Sequence, residues 1–211
     1  MKVLNLYAGI GGNRKLWPKE CEVTAVEMNP LIAITYEKFF PKDTVFVADA
    51  HGFLLEHYNQ YDFIWSSPPC QTHSNTNRFL NAQGVIRYPD MKLYQEIIFL
   101  KEFFKGKWVV ENVIPYYKPL TPGQISGRHL FWCNFNITDY KKDRNITITN
   151  SRASTRRSKG EHLNTLKKYH GIECNDVKLL SNCVNPKLGL HIFKCAFKIK
   201  QETLLKPKPP E

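Results

Sequence analysis

Two residues in this chain interrupt apolar runs in places where chemistry is done. Cys70 lies in the stretch Ser66-Ser67-Pro68-Pro69-Cys70-Gln71, which directly follows the apolar run Tyr61 to Trp65. A buried strand, a proline-stiffened turn and one thiol at the strand's carboxyl end place a candidate nucleophile where open α/β sheets carry their chemistry. Two prolines fix two φ angles, so the corner is rigid. Glu111 lies in Trp108-Val109-Val110-Glu111-Asn112-Val113, near the carboxyl end of another apolar run. A carboxylate there must be paired, protonated or used on a ligand, which suits acid–base work. Both residues also have plainer uses, the cysteine as a small buried hydrophobe and the glutamate as a hydrogen-bonded structural group.

A second set of residues suits a nucleotide. Lys2 to Tyr7 reads as a short buried strand that runs into Ala8-Gly9-Ile10-Gly11-Gly12-Asn13-Arg14, with a helix expected as far as Trp17. Glycines let the backbone approach a ligand, and a helix N-terminus favours a negative group. An ordinary tight turn has the same composition. Glu27 falls at the end of a predicted second strand, Val23 to Met28, roughly 20 residues after the glycines, where an acid accepts hydrogen bonds from ribose hydroxyls. Asp49 follows a predicted third strand, Val45 to Ala48, and suits an adenine amino group; capping the helix that contains Phe53, Leu54 and Leu55 is the alternative.

The elements that must position these groups alternate. Asn29-Pro30 starts a helix over Leu31 to Phe39. Tyr61 to Trp65 is the fourth strand. The polar stretch from Thr72 to Asp90 is expected to be a long functional loop of the lid kind. Met91 to Phe104 is an amphipathic helix with Leu93, Ile97, Leu100 and Phe104 on one face, followed by the fifth strand around Glu111. Gln124 to Arg128 leads into a sixth strand, His129 to Cys133. A helix is expected from Lys187 through Phe197, and disorder in the tail from Lys206. Strand–helix alternation of this kind predicts an α/β fold with a mostly parallel sheet flanked by helices.

The chain has 211 residues, 42% of them hydrophobic, which suits one globular domain with a small appendage. No apolar run approaches the ~20 residues of a membrane span. Met1 to Tyr7 reads as a strand start rather than a signal peptide. Six cysteines are scattered without Cys-x-x-Cys pairs, which argues against structural zinc and a disulfide framework and for a reducing cytoplasm. The formal charge of +11 points to a polyanionic partner, nucleic acid before membrane. Between residues 136 and 180 there are ten Lys or Arg against five Asp or Glu. The densest part holds Arg152, Arg156, Arg157 and Lys159 and reads as a phosphate-contacting insertion, or else as a solvated one.

Laid out in order, these pieces resemble the C5-cytosine DNA methyltransferases. Tyr7-Ala8-Gly9-Ile10-Gly11-Gly12 is similar to the family's Phe-x-Gly-x-Gly-Gly motif, and Pro69-Cys70-Gln71 to its nucleophile motif. Glu111-Asn112-Val113 is similar to its acid motif, Gln124-x-Ser126-x-Arg128 to Gln-x-Arg-x-Arg, and Ser181-Asn182-Cys183-Val184 to Gly-Asn-(Ser/Ala)-Val. Ser126 and Ser181 depart from that pattern, and the segment between Arg128 and Asn182 is shorter than the family's recognition domain. The resemblance implies a Rossmann-like S-adenosylmethionine-dependent methyltransferase fold. It would comprise a core over 1–135, a reduced recognition segment over 136–180 and a return to the core over 181–211.

It further implies a catalytic set of Cys70, Glu111 and Arg128. The cofactor site would be made by Tyr7, Ala8, Gly9, Gly11, Gly12, Glu27, Met28, Asp49, Ala50, Pro69, Leu93, Asn182 and Val184. Duplex DNA would be the partner, held by Gln71, Ser74, Arg78, Arg152, Arg156, Arg157 and Lys159. No metal is implied, and a monomer is the expected state. The thiolate form of Cys70 is expected to be favoured by nearby cations. The tRNA-methylating branch is similar too, but its Cys-Phe-Thr element is absent from this sequence. A compact enzyme of this kind suits a bacterial cytoplasm, within a restriction system or a phage.

Overall fold

The computed structural model describes residues 1–140 and 159–198. Its centre is a seven-stranded sheet: β1 (Lys2–Leu6), β2 (Glu22–Val26), β3 (Thr44–Phe46), β4 (Phe63–Ser66), β5 (Lys107–Val113), β6 (Gln124–Ser126) and β7 (His129–Cys133). The order is β3-β2-β1-β4-β5-β7-β6. β1 to β5 run parallel, whereas β7 is antiparallel to both β5 and β6. The chain moves outward from β1 through β2 to β3, then returns to lay β4 on the other side of β1. That reversal opens a crevice at the carboxyl ends of β1 and β4.

The strands are apolar almost throughout because both faces are covered. Alternation sends Leu4, Leu6, Ile64, Trp108 and Val110 to one face, where they meet Leu54 and the apolar stripe Leu93, Ile97 and Leu100. Those partners belong to α2 (Ala50–His57) and α4 (Lys92–Phe103). Val3, Phe63, Trp65, Val109 and Phe131 point to the opposite face and pack with Trp17, Leu188, Ile192 and Phe193. The last three lie on α7 (Pro186–Phe197), which Asn185 caps by accepting from Lys187 and Leu188 N–H groups. α1 (Pro30–Phe39) is capped in the same way by Asn29, with proline in its first turn.

Several expectations are corrected. No helix follows β1: residues 9–17 form successive turns, because Gly9 and Gly11 take φ of +54° and +77°, outside the helical region. The helix N-terminus expected to attract a negative group is therefore absent there. In its place α7 comes close. A Cβ on Gly189 would sit 2.4 Å from the Asn13 carbonyl oxygen, and one on Gly12 would sit 2.5 Å from that of Val184. The second strand stops at Val26 and the third at Phe46, so Glu27 and Asp49 lie beyond their strands. The expected loop from Thr72 to Asp90 contains a helix, α3 (Thr76–Ala82).

The described part of the basic segment, residues 159–180, packs apolar side chains of its own. α5 (Lys159–His170) and α6 (Val177–Asn182) bury Leu166, Ile172, Cys174 and Leu180 against Ile10 and Cys183. Among the described residues, no helix is long and apolar enough to cross a membrane.

Candidate functional site

The site grows from three strand ends. β4 delivers Ser66, Ser67 and the Pro68-Pro69-Cys70 corner. Asn112 of β5 fixes that corner by donating from Nδ2 to the Pro68 carbonyl at 2.9 Å. The Cys70 carbonyl accepts from the His73 and Ser74 N–H groups, both at 3.0 Å, so the chain curls back on itself at once. Cys70 is half-buried. Its thiol is not activated in the way the sequence suggested. Burial pushes its pKa up, the Glu111 charge pushes it further, and Arg128 opposes only in part. Mapped alkylation by iodoacetamide is therefore expected to be slower at Cys70 than at free cysteine at neutral pH, and to rise into alkaline pH. Rapid labelling at neutrality would contradict this environment.

Glu111 is buried and hydrogen-bonded to His129 Nδ1. Burial alone would raise its pKa. His129 at hydrogen-bond distance outweighs this, with help from Ser67 and Arg128, and holds the carboxyl below the usual carboxylate range. Arg128 sits in the β6–β7 turn, donating from Nη2 to the Ser181 carbonyl at 2.9 Å and from Nε to His129 Nε2 at 3.2 Å. Sequence reasoning missed His129; a histidine opening an otherwise apolar strand beside Arg128 was the available signal. Ser126 is buried with no partner for its Oγ.

Beside the Pro68-Pro69 corner lies a cleft lined by Tyr7, Met28, Asp49, Pro68, Pro69, His73, Asp90, Lys92 and Leu93. Five of these were expected from sequence (Tyr7, Met28, Asp49, Pro69 and Leu93). Pro68, His73, Asp90 and Lys92 were not. Glu27 lies at the foot of the glycine turn, accepting from Gly9 N–H and Asn29 N–H, both at 3.0 Å. Asp49 both lines the cleft and caps α2 through His51 N–H, so the two readings of that residue coexist. Ala8, Gly9, Gly11, Gly12, Ala50, Asn182 and Val184 do not line the cleft. Gly12 is instead packed against Cys183 and Val184. Apolar faces from Met28, Pro69 and Leu93, with carboxylates from Glu27 and Asp49 near them, fit a purine nucleoside: flat apolar surface for the ring and acceptors for amino and hydroxyl groups.

A second buried carboxylate went unnoticed in the sequence. Glu96 is fully buried on α4 and gathers three partners. Tyr7 Oη donates to it at 2.6 Å, Ser66 Oγ at 2.6 Å, and His51 Nδ1 lies at 3.1 Å. Its clue was position: it falls on the helix face of Leu93, Ile97 and Leu100, three residues from the first and four from the last. Tyr7 carries a φ of +53°, rare for a residue with a side chain, and its hydroxyl is anchored by this carboxylate.

Of the expected nucleic-acid contacts, Gln71 and Arg78 are exposed and Ser74 is partly so. Arg78 donates to the Tyr116 carbonyl at 2.9 Å. Arg152, Arg156 and Arg157 lie outside the described residues, and Lys159 opens α5. Among the described residues, no group of three or more His, Cys, Asp or Glu side chains is arranged to hold a metal ion.

Comparison with known proteins agrees with this architecture. No curated protein matches the chain. The structure is similar to that of the methyltransferase EhMeth of Entamoeba histolytica, with a TM-score of 0.53 at 12% identity over 95% of this chain and 99% of that one, a likeness of fold. Smaller regions match DNMT2 of Spodoptera frugiperda, at 26% identity over 53% of this chain and 35% of that one with a TM-score of 0.38. A putative prophage-encoded DNA modification methyltransferase from E. coli matches at 22% identity over 56% and 33%, with a TM-score of 0.38. The model of the C-5 cytosine-specific DNA methylases matches residues 1–115, through the glycine turn, the Pro68-Pro69-Cys70 corner and the Glu111 strand. The chain belongs to that family, a Rossmann-like methyltransferase whose methyl donor is S-adenosylmethionine.

Proposed function

We propose that this protein methylates C5 of a flipped-out cytosine in duplex DNA through a covalent bond between Cys70 and C6. The observation that carries the reading is the shared corner. Pro69 lines the nucleoside-fitting cleft, Cys70 follows it, and the Glu111 and Arg128 charges both reach the thiol. Cytosine C5 is too weak a nucleophile to take a methyl group directly. Addition of sulfur at C6 makes C5 enamine-like. The S–C6 bond forms as the thiol proton leaves for ring N3, where the Glu111 carboxylate stabilises the protonated ring. Bound S-adenosylmethionine supplies an electrophilic methyl group on a sulfonium. Loss of the C5 proton to a base such as water then expels the Cys70 sulfur, which takes back the N3 proton, and the ring and the thiol are both restored.

In this reading Tyr7, Met28, Asp49, Pro69 and Leu93 contact the cofactor directly. Glu27 with Gly9, and Gly11, Gly12, Ala8, Ala50, Asn182 and Val184, shape or close its site. Arg128 faces the base carbonyl or its phosphate. Because a duplex hides the target base, the nucleotide must leave the stack. Gln71, Ser74 and Arg78 follow the nucleophile directly and suit the displaced strand. The segment over 136–180, with Arg152, Arg156, Arg157 and Lys159, reads as the recognition part between the core at 1–135 and its return at 181–211. The chain's net charge of +11 supports a polyanionic substrate.

The test is transfer of labelled methyl groups to duplex DNA, single-stranded DNA and tRNA. Label on duplex DNA is the expected result. Label on tRNA alone would replace the DNA assignment while keeping the chemistry, and label on no polymer would overturn the reading.

A further inference from the structure

Resting on the methyltransferase reading, we infer that His129 is a positioning residue that holds Glu111 as an ionised acceptor, and so makes the site select a base bearing a 4-amino group. Glu111 and His129 are buried on neighbouring strands, and the imidazole Nδ1 meets the carboxylate directly. The tautomer is fixed from the other side. Arg128 Nε donates to His129 Nε2, so Nε2 is the acceptor and Nδ1 carries the hydrogen given to Glu111. Bonded this way, the imidazole serves Glu111 as a hydrogen-bond donor. It occupies one carboxylate oxygen and leaves the other for the base.

An ionised carboxylate accepts the 4-amino hydrogen of cytosine and, once addition at C6 has put a proton on N3, that hydrogen as well. It repels the 4-oxo group of uracil or thymine, whereas a protonated Glu111 would tolerate it. The charged and titratable groups around the pair are Arg128 from the β6–β7 turn, Cys70 after β4 and His170 at the end of α5, which lies in the field of Arg128. The Ser67 hydroxyl also bonds to the Glu111 carboxyl, so the carboxylate is served from two elements. The Arg128 guanidinium favours the ionised form, and the burial that opposes it is why the histidine donor matters.

The experiment compares the pH dependence of kcat/KM for the unaltered protein, His129→Leu and His129→Asn. Asparagine keeps an N–H donor near the place of Nδ1, and leucine removes it. The acid limb of the leucine variant is expected to move toward neutrality by about one pH unit or more, with the asparagine variant close to the unaltered protein. The leucine variant should also gain activity on uracil in the target position relative to cytosine. An unshifted acid limb in a leucine variant that still binds S-adenosylmethionine overturns the proposal.

If the leucine variant does not bind the cofactor, the infrared carboxyl bands of the unaltered protein decide, with Glu111→Gln identifying the Glu111 band. An ionised band at neutral pH is expected, and a protonated acid band there overturns the proposal. Absence of methyl transfer by the unaltered protein would count against the underlying reading instead, and the infrared result stands apart from it.

Discussion

Cys70→Ala is expected to abolish methyl transfer, with a fall in kcat on the order of 10⁴-fold or more, while S-adenosylmethionine affinity stays unchanged. The asymmetry follows from the geometry. Pro68 and Pro69 line the cleft, and the corner is tied to β5 by Asn112 through the Pro68 carbonyl rather than through the thiol. Removing the sulfur therefore leaves the corner in place. Cys70→Ser is expected to fail nearly as completely, since a hydroxyl is a far poorer nucleophile in a site where burial and the Glu111 charge already resist ionisation. Single-turnover transfer and equilibrium binding of the cofactor, measured on the same preparation, check both halves. An active alanine variant would remove Cys70 from the chemistry.

Glu96→Ala is expected to be the most destabilising single change near the cleft. It strands the Tyr7 and Ser66 hydroxyls and the His51 imidazole at once. A buried donor left unpaired costs about 1–3 kcal/mol, so the loss should reach roughly 3–5 kcal/mol against a typical stability of about 5–15 kcal/mol. Urea unfolding reads the loss, and weaker cofactor binding should accompany it because Tyr7 loses its anchor. Part of this stability depends on pH. The hydrogen bond to Glu96 raises the pKa of His51 above its ordinary value, against the opposing effect of burial. That contribution is fully present below the unfolded value near ~6.5 and is lost as pH rises through the raised folded value. The gap between the unaltered protein and Glu96→Ala should therefore narrow on the alkaline side; a gap that widened there would refute the pairing.

How much of this was legible in the sequence depended on the range of the interactions. The parallel strands could be read because β4 and β5 are continuous apolar runs, and α4 because its apolar residues recur at helical spacing. Cys70 and Glu111 could be singled out because each breaks such a run. The turn after β1 was misread as a helix because its conformation is decided by α7, more than 170 residues away, where Trp17 Nε1 reaches the Gly189 carbonyl. Positive φ at Gly9 and Gly11 leaves no local trace beyond the glycines themselves. Glu96 and His129 were overlooked because their partners come from other strands and helices. The expectation of an activated thiol failed for a related reason. Arg128 is present, but the burial and the nearby carboxylate that oppose it belong to the fold.

The contact between α7 and the glycine turn also bears on the order in which the molecule can be assembled. Trp17, Phe63 and Trp65 are synthesised early, yet their cover arrives only with Leu188, Ile192 and Phe193. A nascent chain that has emerged through β5 already carries Tyr7, Glu27, Asp49 and Cys70, but one face of its sheet is still bare. The glycine turn is then closed by a pairing of very high sequence separation, the kind whose chain-entropy cost delays folding. Until it forms, the exposed aromatic face is a natural target for chaperones or self-association. Competence to hold the donor should therefore arise late and all at once, after synthesis has passed Phe197, rather than as each site residue leaves the ribosome.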